Sequence, residues 1–334
     1  MSDSTLDRLF GFRNAFDDPV TAWLTGITVA ILLVAPAIFV PLLRIKSVDA
    51  AGRSEIRKRY LSWLVITPML ILPVLAGAAA TIIGVAILSL ACYREYARAT
   101  GLFRERAISA TIVVGIGFVT FAVLDHWYGL FVAMGPLAVA AIAIIALAAD
   151  RPEGYIQRVA LGTLGFLLFG VCLAHIGYMA NDPGYRPIVL MLLLTVEAND
   201  IFAFLSGKAF GRRKLAPNTS PNKTFGGALG ALVLTTILTA AIGHFLFRGT
   251  PLDGWPQLIG LGILISGVGQ CGDLMFSSIK RDLGIKDIGA TIPGHGGLLD
   301  RFDSLILVAP AVFHYVAYFK GFGFDETTRI ITGG

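Results

Sequence analysis

The residues able to do chemistry are concentrated in the later part of a 334-residue chain. Glu197 and Asp200 stand three apart in the run Leu-Thr-Val-Glu-Ala-Asn-Asp-Ile-Phe-Ala-Phe, so a helix would place them on one face. A carboxylate inside a membrane span costs about 3 kcal/mol on insertion scales, and two within one turn should therefore look into a polar cavity. Further on, Asp273 and Ser277 are four apart and stack on a common helix face. The segment 280–301 then carries Lys280, Arg281, Lys286 and Arg301 beside Asp282, Asp287 and Asp300, with five glycines among them.

Several carboxylates beside several cations suit a magnesium–triphosphate site. Mg2+ takes one or two carboxylates together with substrate phosphates and water. Lysine and arginine take the remaining phosphate charge, and a glycine-dense loop lets backbone approach a ligand closely. Ser220, Lys223 and Thr224 add two hydroxyls and an ammonium just ahead of Gly226-Gly227, where a helix N-terminus with free N–H groups would suit phosphate. Walker spacing is absent. Arg212, Arg213 and Lys214 read equally well as an anionic-lipid or topology patch.

The elements that must position these residues are membrane spans. The chain is 55% hydrophobic and 15% charged, against about 25% charged in soluble domains, with a mean hydropathy of +0.74. That composition excludes a disordered chain and a nucleic-acid arm and speaks against a water-soluble globule. The net charge of +5 is then read as topology, with no nucleic-acid partner. Apolar runs fall at about 20–43, 61–91, 107–124, 128–149, 159–180, 187–206, 226–247, 257–279 and 303–319. Runs of about 20 residues exclude an outer-membrane barrel and predict an all-α, polytopic integral membrane protein with about nine to ten transmembrane helices. The run 61–91 is too long for one crossing and holds Pro68 and Pro73, so it is expected to be two short helices turning near Gly77.

Charge supports that count. The short loops 44–60 and 93–106 hold six and four basic residues, and both should be cytoplasmic, which requires an even number of spans between them. Continuing the alternation puts 21 of the 27 Lys and Arg residues on the cytoplasmic side and the N-terminus outside. The polar segment 1–19 precedes an apolar run too long for a cleaved signal, so a first span is expected instead. The chain divides into an N-terminal extension with the first span (1–50), a transmembrane scaffold (51–185), a catalytic transmembrane region (186–320) with loops 207–224 and 280–302, and a tail (321–334). The first half offers almost no ionisable residue in its spans. His126 and His175 read as interfacial, and Cys92, Cys172 and Cys271 as buried thiols.

Ser277-x-Ile279-Lys280-Arg281, four residues, Lys286-Asp287, then Pro293-Gly294-His295-Gly296-Gly297-Leu298-x-Asp300-Arg301-Phe302-Asp303 resembles the complete signature of phosphatidate cytidylyltransferases. Upstream, Asp200…Ala203-Phe204…Gly207 and Ser220-Pro221-x-Lys223-Thr224 are similar to that family's second block, and the resemblance extends over about 55–320. It implies the reaction CTP + phosphatidate → CDP-diacylglycerol + pyrophosphate with Mg2+, room for a second cation, and a homodimer; charge puts the site on the cytoplasmic side, and cysteine usage and length point to a bacterial inner membrane.

On this resemblance Asp273 and Asp300 would hold the divalent ion, with Asp287 and Asp303 supporting it or taking a second ion. Lys280, Arg281, Lys286 and Arg301 would bind phosphates of CTP or phosphatidate. Ser220, Lys223 and Thr224 would close over the triphosphate, His295 would donate to leaving pyrophosphate, and Asp200 and Ser277 would line the substrate cavity. The physics agrees, because a lipid phosphate is already ionised at neutral pH and needs no strong base; positioning and charge neutralisation suffice. Two rivals stand beside this reading. One is a CTP-dependent polyprenol or lipid kinase, or a cytidylyltransferase for another lipid phosphate. The other is a transporter, which also carries carboxylates in its spans.

Overall fold

Apolar runs of bilayer length form helices because lipid offers backbone groups no other partner. The computed structural model describes residues 9–43, 50–292, 296–322 and 329–333. Its helices are α1 (Pro19–Leu43), α2 (Ala50–Ala76), α3 (Ala78–Thr100), α4 (Arg106–Leu124), α5 (Tyr128–Ala148), α6 (Tyr155–Met179), α7 (Tyr185–Phe210), α8 (Phe225–Leu246), α9 (Trp255–Asp282) and α10 (Leu299–Phe319). Among the described residues, nine of these are long and apolar enough to cross a bilayer, and α2 adds a shorter apolar stretch at Tyr60–Ala76. The chain is an all-α polytopic membrane protein, with one short antiparallel hairpin of β1 (Lys214–Ala216) and β2 (Ser220–Thr224).

The long second run does break at Gly77. Its φ of +135° favours glycine, and a Cβ there would lie 2.5 Å from the Leu9 carbonyl oxygen. The Thr81 hydroxyl reaches back to the Pro73 and Gly77 carbonyl oxygens, at 3.1 and 2.9 Å, and ties α2 to α3 across the break. Helices outlast their apolar runs elsewhere. The expected loop 93–106 is mostly helix, since α3 carries Arg94 and Arg98 on to Thr100; α2 begins at Ala50 and α9 ends at Asp282. Hydropathy marks where lipid stops, whereas the hydrogen-bond ladder continues into water wherever side chains tolerate it.

The centre of the bundle is aromatic. Tyr96 of α3 meets Phe169 of α6 at 5.4 Å between centroids, and Tyr178 of α6 meets Phe313 of α10 at 5.7 Å. His175 belongs to this core rather than to an interface. Its ring lies edge-on to Phe131 and Phe313 at 4.9 and 5.0 Å, and Nδ1 is 2.9 Å from the Val171 carbonyl oxygen. His126 is buried as well. Cys92 is buried and Cys172 half-buried, but Cys271 is exposed on α9, against expectation.

Contacts sort the two ends of the bundle. Arg186, at the start of α7, donates to the Gly11 and Asn14 carbonyls at 2.7 and 3.3 Å. The N-terminal segment therefore shares an end with Gly77 and with the turns before α5 and α7. The hairpin and the α9–α10 connection lie at the other end, with the basic loops.

Candidate active site

Three helix ends and the hairpin converge at the basic end. Gly272 permits the approach: a Cβ there would lie 2.8 Å from the Asp303 carbonyl oxygen, so α9 crosses α10 backbone to backbone and sets Asp273 beside Asp303. Asp303 stands in electrostatic reach of Asp273, Asp200 and Lys280, and Glu197 in reach of Asp200, Arg301 and Asp303. The two acids of α7 therefore meet the acids of α9 and α10, as their shared helix face required. Asp200, on the surface of α7, is in electrostatic reach of Asp273, Lys223 and Arg301.

Two lysines sit directly on carboxylates. Lys223 of β2 places Nζ 2.5 Å from Asp273 Oδ2, while the Ser277 hydroxyl donates to Asp273 Oδ1 at 3.2 Å. Lys280 pairs with Asp300 Oδ1 at 2.9 Å. The other Asp300 oxygen accepts the Ile288 and Gly297 N–H groups, both at 2.9 Å, so Asp300 also shapes the connection between α9 and α10. Asp303 is buried and accepts the Ser304 N–H at 2.7 Å.

The residues present fit a divalent ion. Among the described residues five carboxyl groups (Glu197, Asp200, Asp273, Asp300, Asp303) gather around three cations (Lys223, Lys280, Arg301), so acids outnumber cations in this cluster. Among the described residues no three acidic, histidine or cysteine side chains converge tightly enough to hold an ion alone.

Several expected roles change. Thr224, expected over a triphosphate, is buried and caps α8, its hydroxyl accepting the Gly227 N–H at 3.1 Å. The glycine pair behind it serves packing. A Cβ at Gly226 would lie 2.5 Å from the Phe210 carbonyl oxygen, and one at Gly227 2.7 Å from that of Ala203, so α8 starts pressed against α7. With the Phe225 N–H given to the Arg213 carbonyl oxygen as well, this helix start offers little to a phosphate. Arg281 partly turns to backbone, donating to the Thr219 and Ile285 carbonyls at 3.2 and 3.3 Å, which docks the hairpin on α9. Ser220 pairs in register with Ala216, while Lys286 and Asp287 are exposed on the α9–α10 connection. His295 falls outside the described residues.

Two features escaped the sequence reading. Asn199 anchors a buried network: its Oδ1 accepts the hydroxyls of Thr235 (3.1 Å) and Ser266 (2.6 Å), and Gln270 donates to Ser266 at 3.0 Å and to the Ala228 carbonyl at 3.2 Å. It fixes α7, α8 and α9 beneath the acids. The second is Glu95, from the half expected to be inert scaffold. Its carboxylate accepts the Leu298 and Leu299 N–H groups at 3.0 and 2.8 Å and the Thr291 hydroxyl at 2.5 Å. An acid just past an apolar run was its one sequence signal.

A family profile described as "Cytidylyltransferase family" matches residues 57–319. The chain is 41% identical over 172 residues to the uncharacterized protein YnbB of Escherichia coli (strain K12), covering 50% of this chain and 56% of the relative. It is 40% identical over 149 residues to the phosphatidate cytidylyltransferase of Staphylococcus aureus (strain COL), covering 43% and 56%. The Haemophilus influenzae phosphatidate cytidylyltransferase is 38% identical over 165 residues, covering 48% and 56%. The chain thus spans little more than half the length of these relatives.

Proposed function

The chain belongs to the cytidylyltransferase family, and from that membership we propose that it joins CTP to phosphatidate, giving CDP-diacylglycerol and pyrophosphate. The observation that carries the reading is the acid-rich cluster of α7, α9 and α10, with lysines already seated on two of its carboxylates. A phosphate oxygen of phosphatidate attacks the α-phosphorus of CTP, and the bond from that phosphorus to the β-phosphate bridging oxygen breaks. The nucleophile arrives ionised, so the chain's task is to align two polyanions and absorb charge.

Asp273 and Asp300 would hold Mg2+, with Asp303 and Asp200 near enough to support a second cation. When bound, the ion supplies neutralisation of the phosphate charge and polarisation of the reacting phosphorus. Lys223 and Lys280 then exchange carboxylate for phosphate, which keeps each ammonium paired throughout. Arg301, in reach of Glu197 and Asp200, takes the lipid phosphate from the bilayer side. Lys286, Arg281 and Asp287 edge the nucleotide from the connection between α9 and α10, and His295 donates to departing pyrophosphate. The bias of basic residues and the bacterial relatives support a site on the cytoplasmic side of an inner membrane. The family resemblance adds a homodimer.

Purified chain in detergent, supplied with CTP and Mg2+, should release pyrophosphate only when phosphatidate is present. CDP formation with a polyprenol would move the chain to the lipid kinases. No turnover with any lipid alcohol or phosphate would overturn the enzyme reading and favour transport.

A further inference from the structure

The loop between α9 and α10 is held from an unexpected direction. Its glycines were expected to admit a ligand, and they do, but that ligand is a carboxylate of the protein itself. A Cβ at Gly289 would lie 2.7 Å from Glu95 Oε1, and one at Gly297 would lie 2.5 Å from Glu95 Oε2. Glu95 thus occupies a notch that glycine backbone alone leaves open. It reaches the loop from α3, about two hundred positions earlier in the chain.

Within that notch Glu95 grips two parts of the connection at once. Oε1 accepts from the Thr291 hydroxyl and from the Leu298 N–H, and Oε2 accepts the Leu299 N–H. The Ile292 N–H also bonds the Gly296 carbonyl at 2.8 Å. The Gly297 N–H goes to Asp300 Oδ2. Glu95 and Asp300 therefore take three consecutive N–H groups at the start of α10, where a helix leaves donors free and its dipole favours anions. Among the described residues no lysine or arginine pairs with the buried Glu95, and these donors satisfy it instead. The rotation of the peptides 297–299 about their backbone, and so the aim of Asp300, depends on both acceptors.

We infer that Glu95 is a positioning residue for the cytidylyl transfer: by clamping Thr291, Leu298 and Leu299 it fixes the peptides that aim Asp300 and the loop carrying Lys286 and Asp287. The inference rests on the reaction proposed above, in which those groups meet the nucleotide. Glu95 itself touches neither substrate nor ion in this assignment. A displacement of about 1 Å at a reacting group costs up to a hundredfold in rate, which sets the size of the effect. Glu95→Gln keeps one acceptor oxygen but turns an N–H₂ against a donor on the other side, the Leu299 N–H if the carbonyl stays with Thr291 and Leu298, so one arm of the clamp fails while the side-chain volume is kept.

The test uses the full chain in detergent. Three variants are compared with wild type by steady-state kinetics and by amide hydrogen exchange of the peptide spanning Gly297–Phe302. Glu95→Gln should lower kcat about a hundredfold and leave the KM for phosphatidate within about twofold. It should also speed exchange at Leu298 and Leu299, with the rest of α10 protected as in wild type. Thr291→Val should cost about tenfold, and Thr291→Ser, which restores the hydroxyl, should return to near wild-type rate. A Glu95→Gln enzyme within threefold of wild type would overturn the inference, as would unchanged exchange at Leu298 and Leu299. If Glu95→Gln does not fold, the Thr291 pair decides: equal losses in the Val and Ser variants overturn the clamp, and rescue by Ser upholds it. Should wild type release no pyrophosphate with phosphatidate, the reaction assignment has failed. The positioning role then falls with it, while the exchange data separately decide whether the clamp exists.

Discussion

The two ends of this bundle both bury charge, and they do so under opposite rules. At the N-terminal end the buried acids Asp125 and Asp182 are matched. Asp182 bonds Lys320 at 2.8 Å and the Gly184 N–H at 2.7 Å. Asp125 accepts the Ile331 and Thr332 N–H groups at 2.6 and 3.0 Å and the Thr332 hydroxyl at 2.7 Å, while Arg329 lies over the Trp127 ring at 4.1 Å. At the other end five acids share three cations. Matched charge holds a structure together; unmatched charge is a standing demand for a ligand. A buried group whose partners are complete has nothing left to offer a substrate, which is why the excess locates the site better than burial does.

This contrast is open to attack at both ends. The largest effect is expected from the unmatched end. Asp273→Asn should cut phosphatidate-dependent pyrophosphate release more than about a hundredfold, with a melting temperature close to wild type because Lys223, the partner it loses, is partly exposed and stays in reach of Asp200. Asp300→Asn should lose comparable activity and also melt lower, since Asp300 additionally accepts two backbone N–H groups. Equal melting temperatures for the two variants would erase the distinction drawn between them.

At the matched end, Lys320→Met strands the Asp182 carboxylate and should cost about 1–3 kcal/mol of stability, while turnover per folded molecule stays within twofold. A loss of turnover with stability intact would mean that this end takes part in the reaction.

The smallest effect concerns acid. Asp125 is covered by the tail at the very edge of the protein. Burial pushes its pKa up, but the Thr332 and Ile331 hydrogen bonds and the charge of Arg329 outweigh burial and hold it below the ordinary value of 3.8. A depressed folded-state pKa stabilises above the unfolded value and is lost as pH falls through the folded one. Tail docking should therefore persist at neutral pH and weaken only below about pH 4, read by Trp127 fluorescence and by protease access to 329–333. Release between pH 5 and 7 would contradict the assignment.

Much of this was legible in the sequence, for identifiable reasons. Lipid enforces span length, so about nine to ten transmembrane helices and the break at Gly77 could be read from hydropathy and charge alone. The acids of α7, α9 and α10 declared themselves by being ionisable where ionisation is costly. Other features depended on partners far along the chain. Thr224 and the Gly226-Gly227 pair look the same in sequence whether they cradle phosphate or let α8 cross α7; only the proximity of Phe210 and Ala203 decides. His175 reads as polar until its ring is seen among Phe131 and Phe313. Glu95 lies beyond the hydropathic limit of its span, and nothing local reveals that its acceptors' donors lie near residue 298.

The Glu95 notch also bears on how such proteins can recombine. A crossover between two homologues in any connection from the end of α3 to the start of α9 would deliver each parent's helices intact. It would nevertheless separate the carboxylate from Gly289 and Gly297, the backbone it was fitted to. A hybrid whose second parent carried a side chain at either glycine would meet Glu95 head-on. Inheritance of this loop is therefore tied to a residue in the other half of the gene.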